Sequence, residues 1–150
     1  MMEGKVITLK GFKAVGLTYF GDNKKGEIPS LWDTFNKQFS RISQKSMPML
    51  CYGVCDDMPD SECRFHYTAC VAVDAFSDVP EGMDTKTIPA GKYLVYTYTG
   101  SINDLGSFYD TIFSTWFPNS PYEMDMRPQL ELYDERFMRN GEFDIYVPIK

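Results

Sequence analysis

At 150 residues, with 43% apolar and 24% charged side chains, the chain carries enough apolar material for one folded core and is not composed like a disordered segment. Its net charge of −6, with Lys and Arg scattered along the chain, argues against a direct nucleic-acid surface and mildly favours a cationic partner. No apolar run reaches the length of a membrane span, and Met1–Lys5 has no signal-peptide core, so a cytoplasmic protein is expected.

In chain order, Val6–Phe20 is β-prone and interrupted by Gly11 and Gly16, the pattern of a bend or bulge. The loop Gly21–Gly26 precedes a predicted helix over Ile28–Ile42, where Ile28, Leu31, Trp32, Phe35, Phe39 and Ile42 share one face. Pro48–Cys55 and Arg64–Ala75 read as an antiparallel hairpin about the polar turn Asp56–Glu62, with Phe65, Tyr67, Ala69, Val71 and Val73 on one face. After the loop Ser77–Asp84, Thr87–Thr99 is β-prone and stops at Gly100. Asn103 is placed to cap a helix whose stripe is Leu105, Phe108, Tyr109, Ile112, Phe113 and Trp116, ending at Phe117-Pro118. A strand follows over Pro128–Tyr133, and Asn140-Gly141 signals a tight hairpin before Glu142–Ile149.

Both halves thus run strand, helix, strand, strand, about 1–76 and 85–150. Gly11 and Gly91 are 80 positions apart, as are Pro48 and Pro128. Neither half can bury its apolar face alone. The expectation is therefore one domain, 1–150, of α+β class: duplicated β-α-β-β units about a pseudo-two-fold axis, with a largely antiparallel sheet and a central cleft.

Glu131 stands out. It lies in an apolar and aromatic strand, beside Tyr133, and an ionised carboxylate buried there needs a partner, a proton or a ligand. Counted from the two prolines, its counterpart in the first half is Cys51. Aromatic residues make up 15% of the chain, with eleven Phe, ten Tyr and two Trp, the ring types that line ligand pockets. Cys51, Cys55, Cys63 and Cys70 show no C-x-x-C pair, and the only histidine, His66, lies in a strand-like run, so no metal site is assigned. No phosphate loop or other cofactor motif is present.

Ile88-Pro89-Ala90-Gly91-Lys92-Tyr93, Thr97-Tyr98-Thr99-Gly100, Trp116-Phe117-Pro118 and Pro128-Gln129-Leu130-Glu131-Leu132-Tyr133 occur in that order. So arranged, they resemble the GyrI-like effector-binding domains attached to AraC- and MerR-type bacterial regulators. The resemblance implies a duplicated β-α-β-β fold and a pocket in which Glu131 meets lipophilic cations among aromatic walls. Tyr133, Tyr52, Tyr67, Tyr96, Trp116 and Trp32 are the candidate wall residues, since ring faces attract cations. With no helix-turn-helix motif and no basic patch, the chain looks like a stand-alone member, its output dependent on the ligand and on any regulatory partner protein or homodimer. A hydrolase of electrophilic small molecules is the rival reading, with Glu131 as general base and Tyr133, Tyr52 or Tyr67 as proton donor. A gyrase-inhibitor-like interaction protein is the third.

Overall fold

The computed structural model describes residues 4–57, 60–101 and 104–150. In order it forms β1 (Lys5–Leu9), β2 (Phe12–Gly21), α1 (Glu27–Gln38, continued by a 3-10 turn Phe39–Arg41), β3 (Cys51–Cys55), β4 (Phe65–Val73), β5 (Asp84–Ile88) and β6 (Gly91–Tyr98). Then come α2 (Leu105–Thr111, continued by a π-helical turn Ile112–Trp116), β7 (Gln129–Tyr133), α3 (Glu135–Asn140) and β8 (Phe143–Ile149). Asn103 and two residues of the predicted turn at 56–62 lie outside the described residues. Among the described residues no helix is long and apolar enough to cross a membrane.

The class is α+β, as expected. All strands join one eight-stranded antiparallel sheet in the order β1-β6-β8-β7-β3-β4-β2-β5. Each of the two long β-prone stretches divides into two strands. Gly11 separates β1 from β2 where its Cα faces the Ile88 carbonyl so closely that a Cβ would stand 3.0 Å away. Pro89, with no N–H to give the ladder, separates β5 from β6. The paired leading strands then change sides: β1 pairs with β6 and β5 with β2. Each half is therefore closed by a strand of the other, which binds the halves more firmly than their central seam alone would.

That seam is β3 against β7. Five residue pairs run from Cys51↔Tyr133 to Cys55↔Gln129, and the middle pair is Gly53↔Glu131. A two-fold axis through the seam therefore relates Glu131 to Gly53, and the counterpart taken from the proline spacing, Cys51, is displaced by two residues. An even slip keeps the face and changes the neighbour.

One face of the sheet carries the helices. The apolar stripe of α1 (Ile28, Leu31, Trp32, Phe35) packs on Val15, Leu17 and Tyr19 of β2 and on Tyr67, Ala69 and Val71 of β4. Phe35 is fully buried there, which at about 25 cal/mol per Å² contributes roughly 2 kcal/mol. The stripe of α2 and its π turn packs on Leu94, Tyr96 and Tyr98 of β6 and on Phe143, Ile145 and Val147 of β8. The helices stand over the outer strand pairs of the two halves, leaving β3 and β7 as the floor between them. The opposite face forms a second core from Tyr52, Val54, Cys70, Tyr93, Leu130, Leu132 and Tyr146, covered by Ile7, Leu9, Phe12, Leu50 and Ile88.

The link from β7 to β8 differs from the predicted hairpin. Asp134 caps α3 by accepting the Arg136 N–H at 3.0 Å, and Gly141, at φ 74°, closes it with its N–H on the Phe137 carbonyl. Asn140-Gly141 is thus the end of a short helix: the glycine supplies the left-handed C-cap that a two-residue turn would also have required.

Candidate functional site

Strand alternation on β7 puts Gln129, Glu131 and Tyr133 on the helical face, and Leu130 and Leu132 in the core behind. Glu131 is 7% exposed at the middle of the floor. Three phenols hold its carboxylate. Tyr67 of β4 donates to Oε1 at 2.6 Å, Tyr133 donates to the same oxygen at 2.9 Å, and Tyr109 of α2 donates to Oε2. Trp32 of α1 donates its indole N–H to the Tyr67 oxygen at 2.9 Å, which polarises that hydroxyl toward the carboxylate. Both helices therefore reach the same charge, one through a tryptophan and the other directly.

Among the described residues no Lys, Arg or His forms an ion pair with Glu131. Neutral donors alone compensate a buried negative charge. Burial, and then the charge of Glu131, push the hydroxyls of Tyr67, Tyr109 and Tyr133 well above the ordinary tyrosine value of 10.0, so all three stay protonated as donors.

Gly53 makes the arrangement fit. It lies directly across from Glu131, and a Cβ there would overlap the Tyr67 hydroxyl and stand 2.5 Å from Glu131 Oε1. The missing side chain is the space that the carboxylate and the phenol occupy. Cys51 and Cys55 flank it on the same face. Burial pushes the Cys51 thiol up to about 11, and burial with the nearby Glu131 charge pushes the Cys55 thiol well above its ordinary value. Both are therefore thiols, poor as nucleophiles. His66 sits on the exposed side, its Nδ1 2.7 Å from Asp57 Oδ2.

The structure brings Glu131, Tyr133, Tyr67 and Trp32 of the expected set together. Tyr96 and Trp116 stack on each other at 5.9 Å, farther along the same face within the β6–α2 core. Rings join the two places: Trp32 meets Tyr133 edge-on at 5.2 Å, Tyr133 stacks on Phe143 at 4.7 Å, Phe143 meets Tyr98, Tyr98 meets Phe108, and Phe108 meets Trp116. Tyr52 belongs elsewhere. It is an even-numbered residue on β3, pointing to the opposite face against Phe12, and takes no part in the site. The sequence pattern places Tyr109 only in a core stripe and gives Gly53 no part in the site. A tyrosine in place of an aliphatic residue on that stripe was the signal for the first, and a glycine inside a strand opposite the singled-out glutamate was the signal for the second.

Residues 5–149 match the model of a family described as Cass2, integron-associated effector binding protein. The transcriptional regulator BrlR of Pseudomonas aeruginosa is 32% identical over 152 residues, which take in 99% of this chain and 56% of that regulator. The chain thus spans about half the length of that relative. Among solved structures, SAV2435 bound to tetraphenylphosphonium is similar at a TM-score of 0.74 and 17% identity, covering 99% of this chain and 94% of the other. The integron cassette protein VCH_CASS2 of Vibrio cholerae gives a TM-score of 0.71 at 15% identity, covering 99% and 96%. At these identities the two structures show a shared fold.

Proposed function

We propose, from the premise that the chain belongs to the Cass2 family of integron-associated effector-binding proteins, that its effectors are lipophilic organic cations and that Glu131 anchors their charge. The observation that carries this reading is the buried carboxylate held by three phenols and, among the described residues, by no cationic side chain. A carboxylate in a low-dielectric interior attracts a cation far more strongly than one in water, and a poorly hydrated cation loses little on entering. Inorganic cations, strongly hydrated, lose that advantage. The rings of Trp32, Tyr133 and Phe143 add attraction through their faces and accept flat or bulky aryl groups without demanding one outline.

Tetraphenylphosphonium, the ligand in the SAV2435 structure, belongs to this chemical class and supports the choice of probe. Glu131 is only 7% exposed, so departure of one phenol would ease the approach of such a cation. Tyr109 is the natural one, because it comes from α2, whereas Tyr67 and Tyr133 are fixed in the sheet. A cytoplasmic setting and an output passed on by other protein segments fit the likeness to a transcriptional regulator. The test is equilibrium dialysis with three probes of similar bulk: tetraphenylphosphonium, neutral triphenylphosphine oxide and anionic tetraphenylborate. Retention in the order cation, neutral, anion is the expected result; equal retention of all three would show a merely greasy site.

A further inference from the structure

A second feature of the helical face is an apolar hollow of about 150 Å³ between the start of α2 and α3, lined by Tyr98, Gly100, Leu105, Phe137, Gly141 and Phe143. It is separate from the carboxylate, yet continuous with it through stacked rings. Phe143, one of its walls, lies flat on Tyr133 at 4.7 Å, and Phe137, another, meets Tyr133 edge-on at 4.9 Å. Tyr133 in turn donates to Glu131. The remaining ring, Tyr98, meets Phe143 edge-on at 5.6 Å, and its hydroxyl is already given to the Ser101 carbonyl. What Tyr98 presents to the hollow is therefore ring surface.

The size and the mouth both bear on an occupant. An apolar cavity of about 150 Å³ takes one benzene ring. Two glycines lie side by side at its rim, since a Cβ on Gly141 would come within 3.9 Å of the Gly100 carbonyl, and both have positive φ (74° and 154°). Neither puts a side chain across the opening, and the left-handed backbone at both disfavours any residue that would. Phe137, 37% exposed, is a large apolar ring left partly in water beside the hollow.

We propose that this hollow is an aryl-accepting subsite of the ligand site, so that the preferred effectors carry a cationic centre and a single aromatic ring on a linker spanning roughly two stacked rings. The proposal rests on the reading that Glu131 anchors a cation. The ligand's ring lies against Phe143 and Phe137 while its charge lies at the carboxylate, with Tyr133 between them. Edge-to-face and offset contacts with three aromatic walls favour an aryl group over an alkyl chain of equal area.

The probes are 4-phenylbutyl-trimethylammonium, butyl-trimethylammonium and toluene. The protein is tested as the wild type, as Leu105→Trp, which fills the hollow, and as Phe137→Ala, which removes one wall. Thermal melts establish that each variant is folded. Wild type is expected to bind the phenylbutyl cation about tenfold more tightly than the butyl cation. Leu105→Trp is expected to abolish that difference while leaving butyl-cation affinity unchanged, and Phe137→Ala to reduce it. A difference that survives filling of the hollow overturns the proposal. If neither cation binds wild type, the anchor reading has failed, and toluene decides the subsite alone. Saturable amide shifts at Gly100 and Gly141 on toluene addition, lost in Leu105→Trp, uphold the subsite. Shifts that are absent in wild type, or that persist in Leu105→Trp, overturn it.

Discussion

Glu131 pays for its position: a buried carboxylate loses several kcal/mol of hydration, and three phenol hydrogen bonds of about 2 kcal/mol each return a similar amount. Glu131→Gln should therefore change unliganded stability by no more than about 2 kcal/mol in either direction, read from urea midpoints. Gly53→Ala should do worse. Its Cβ must displace the Tyr67 hydroxyl or the carboxylate from a tight backbone position, for a loss of about 2–3 kcal/mol and weakened cation binding. The three phenols also predict a pH dependence. The unfolded chain releases tyrosine protons near pH 10, whereas the folded protein retains those of Tyr67, Tyr109 and Tyr133 to higher pH. Above pH 10 the native state binds more protons, so stability falls as pH rises there and is unaffected by these groups below it. Melting temperatures measured from pH 9 to 11 should show that fall, and a shallower one in Tyr109→Phe.

Among the elements, α3 is the one whose place depends on charge. Arg136 reaches Asp134 at 2.9 Å, Glu142 at 3.0 Å and Asp144 at 2.7 Å, and Asp144, 8% exposed, is also bonded by Thr97. Arg136→Met leaves Asp144 buried with, among the described residues, only a threonine as side-chain partner. Because the guanidinium itself is partly exposed, the expected cost is about 2 kcal/mol, less than for a fully buried pair, and a denaturant midpoint measures it. The same element shows where sequence reasoning runs out. Helices α1 and α2 were legible because a stripe repeated over three or more turns fixes a period. Six residues of α3 carry no such period, and Asn-Gly serves equally as a turn or as a helix end. The cap pair, Asp134 before and Gly141 after, was the legible clue. The strands were legible from alternation, but the division of each long β-prone segment depended on backbone crowding at Gly11 and on a missing donor at Pro89, which act only once the sheet is assembled.

At the scale of the molecule, two similar halves meet at a seam whose middle pair is Gly53 and Glu131. Duplication supplies the two helices that flank the floor, and one position of the seam is then made unequal: a carboxylate on one strand and, across from it, the space to hold it. That Glu131 faces inward was legible from its neighbours. Its partner was not, because counting from prolines in loops slips by two residues against the register of the strands, and the register is set by pairing across the whole seam. Tyr52 was misplaced for a different reason: with Cys51 facing the helices, strand alternation turns Tyr52 to the other side, and an even slip leaves that unchanged. The proposed function rests on one claim, that the charge at the seam selects the ligand. Isothermal titration of tetraphenylphosphonium into wild type and Glu131→Gln tests it most directly. The claim predicts saturable binding to wild type and a loss of at least about tenfold, roughly 1.4 kcal/mol, in the folded variant. Equal affinity for the two proteins would contradict it.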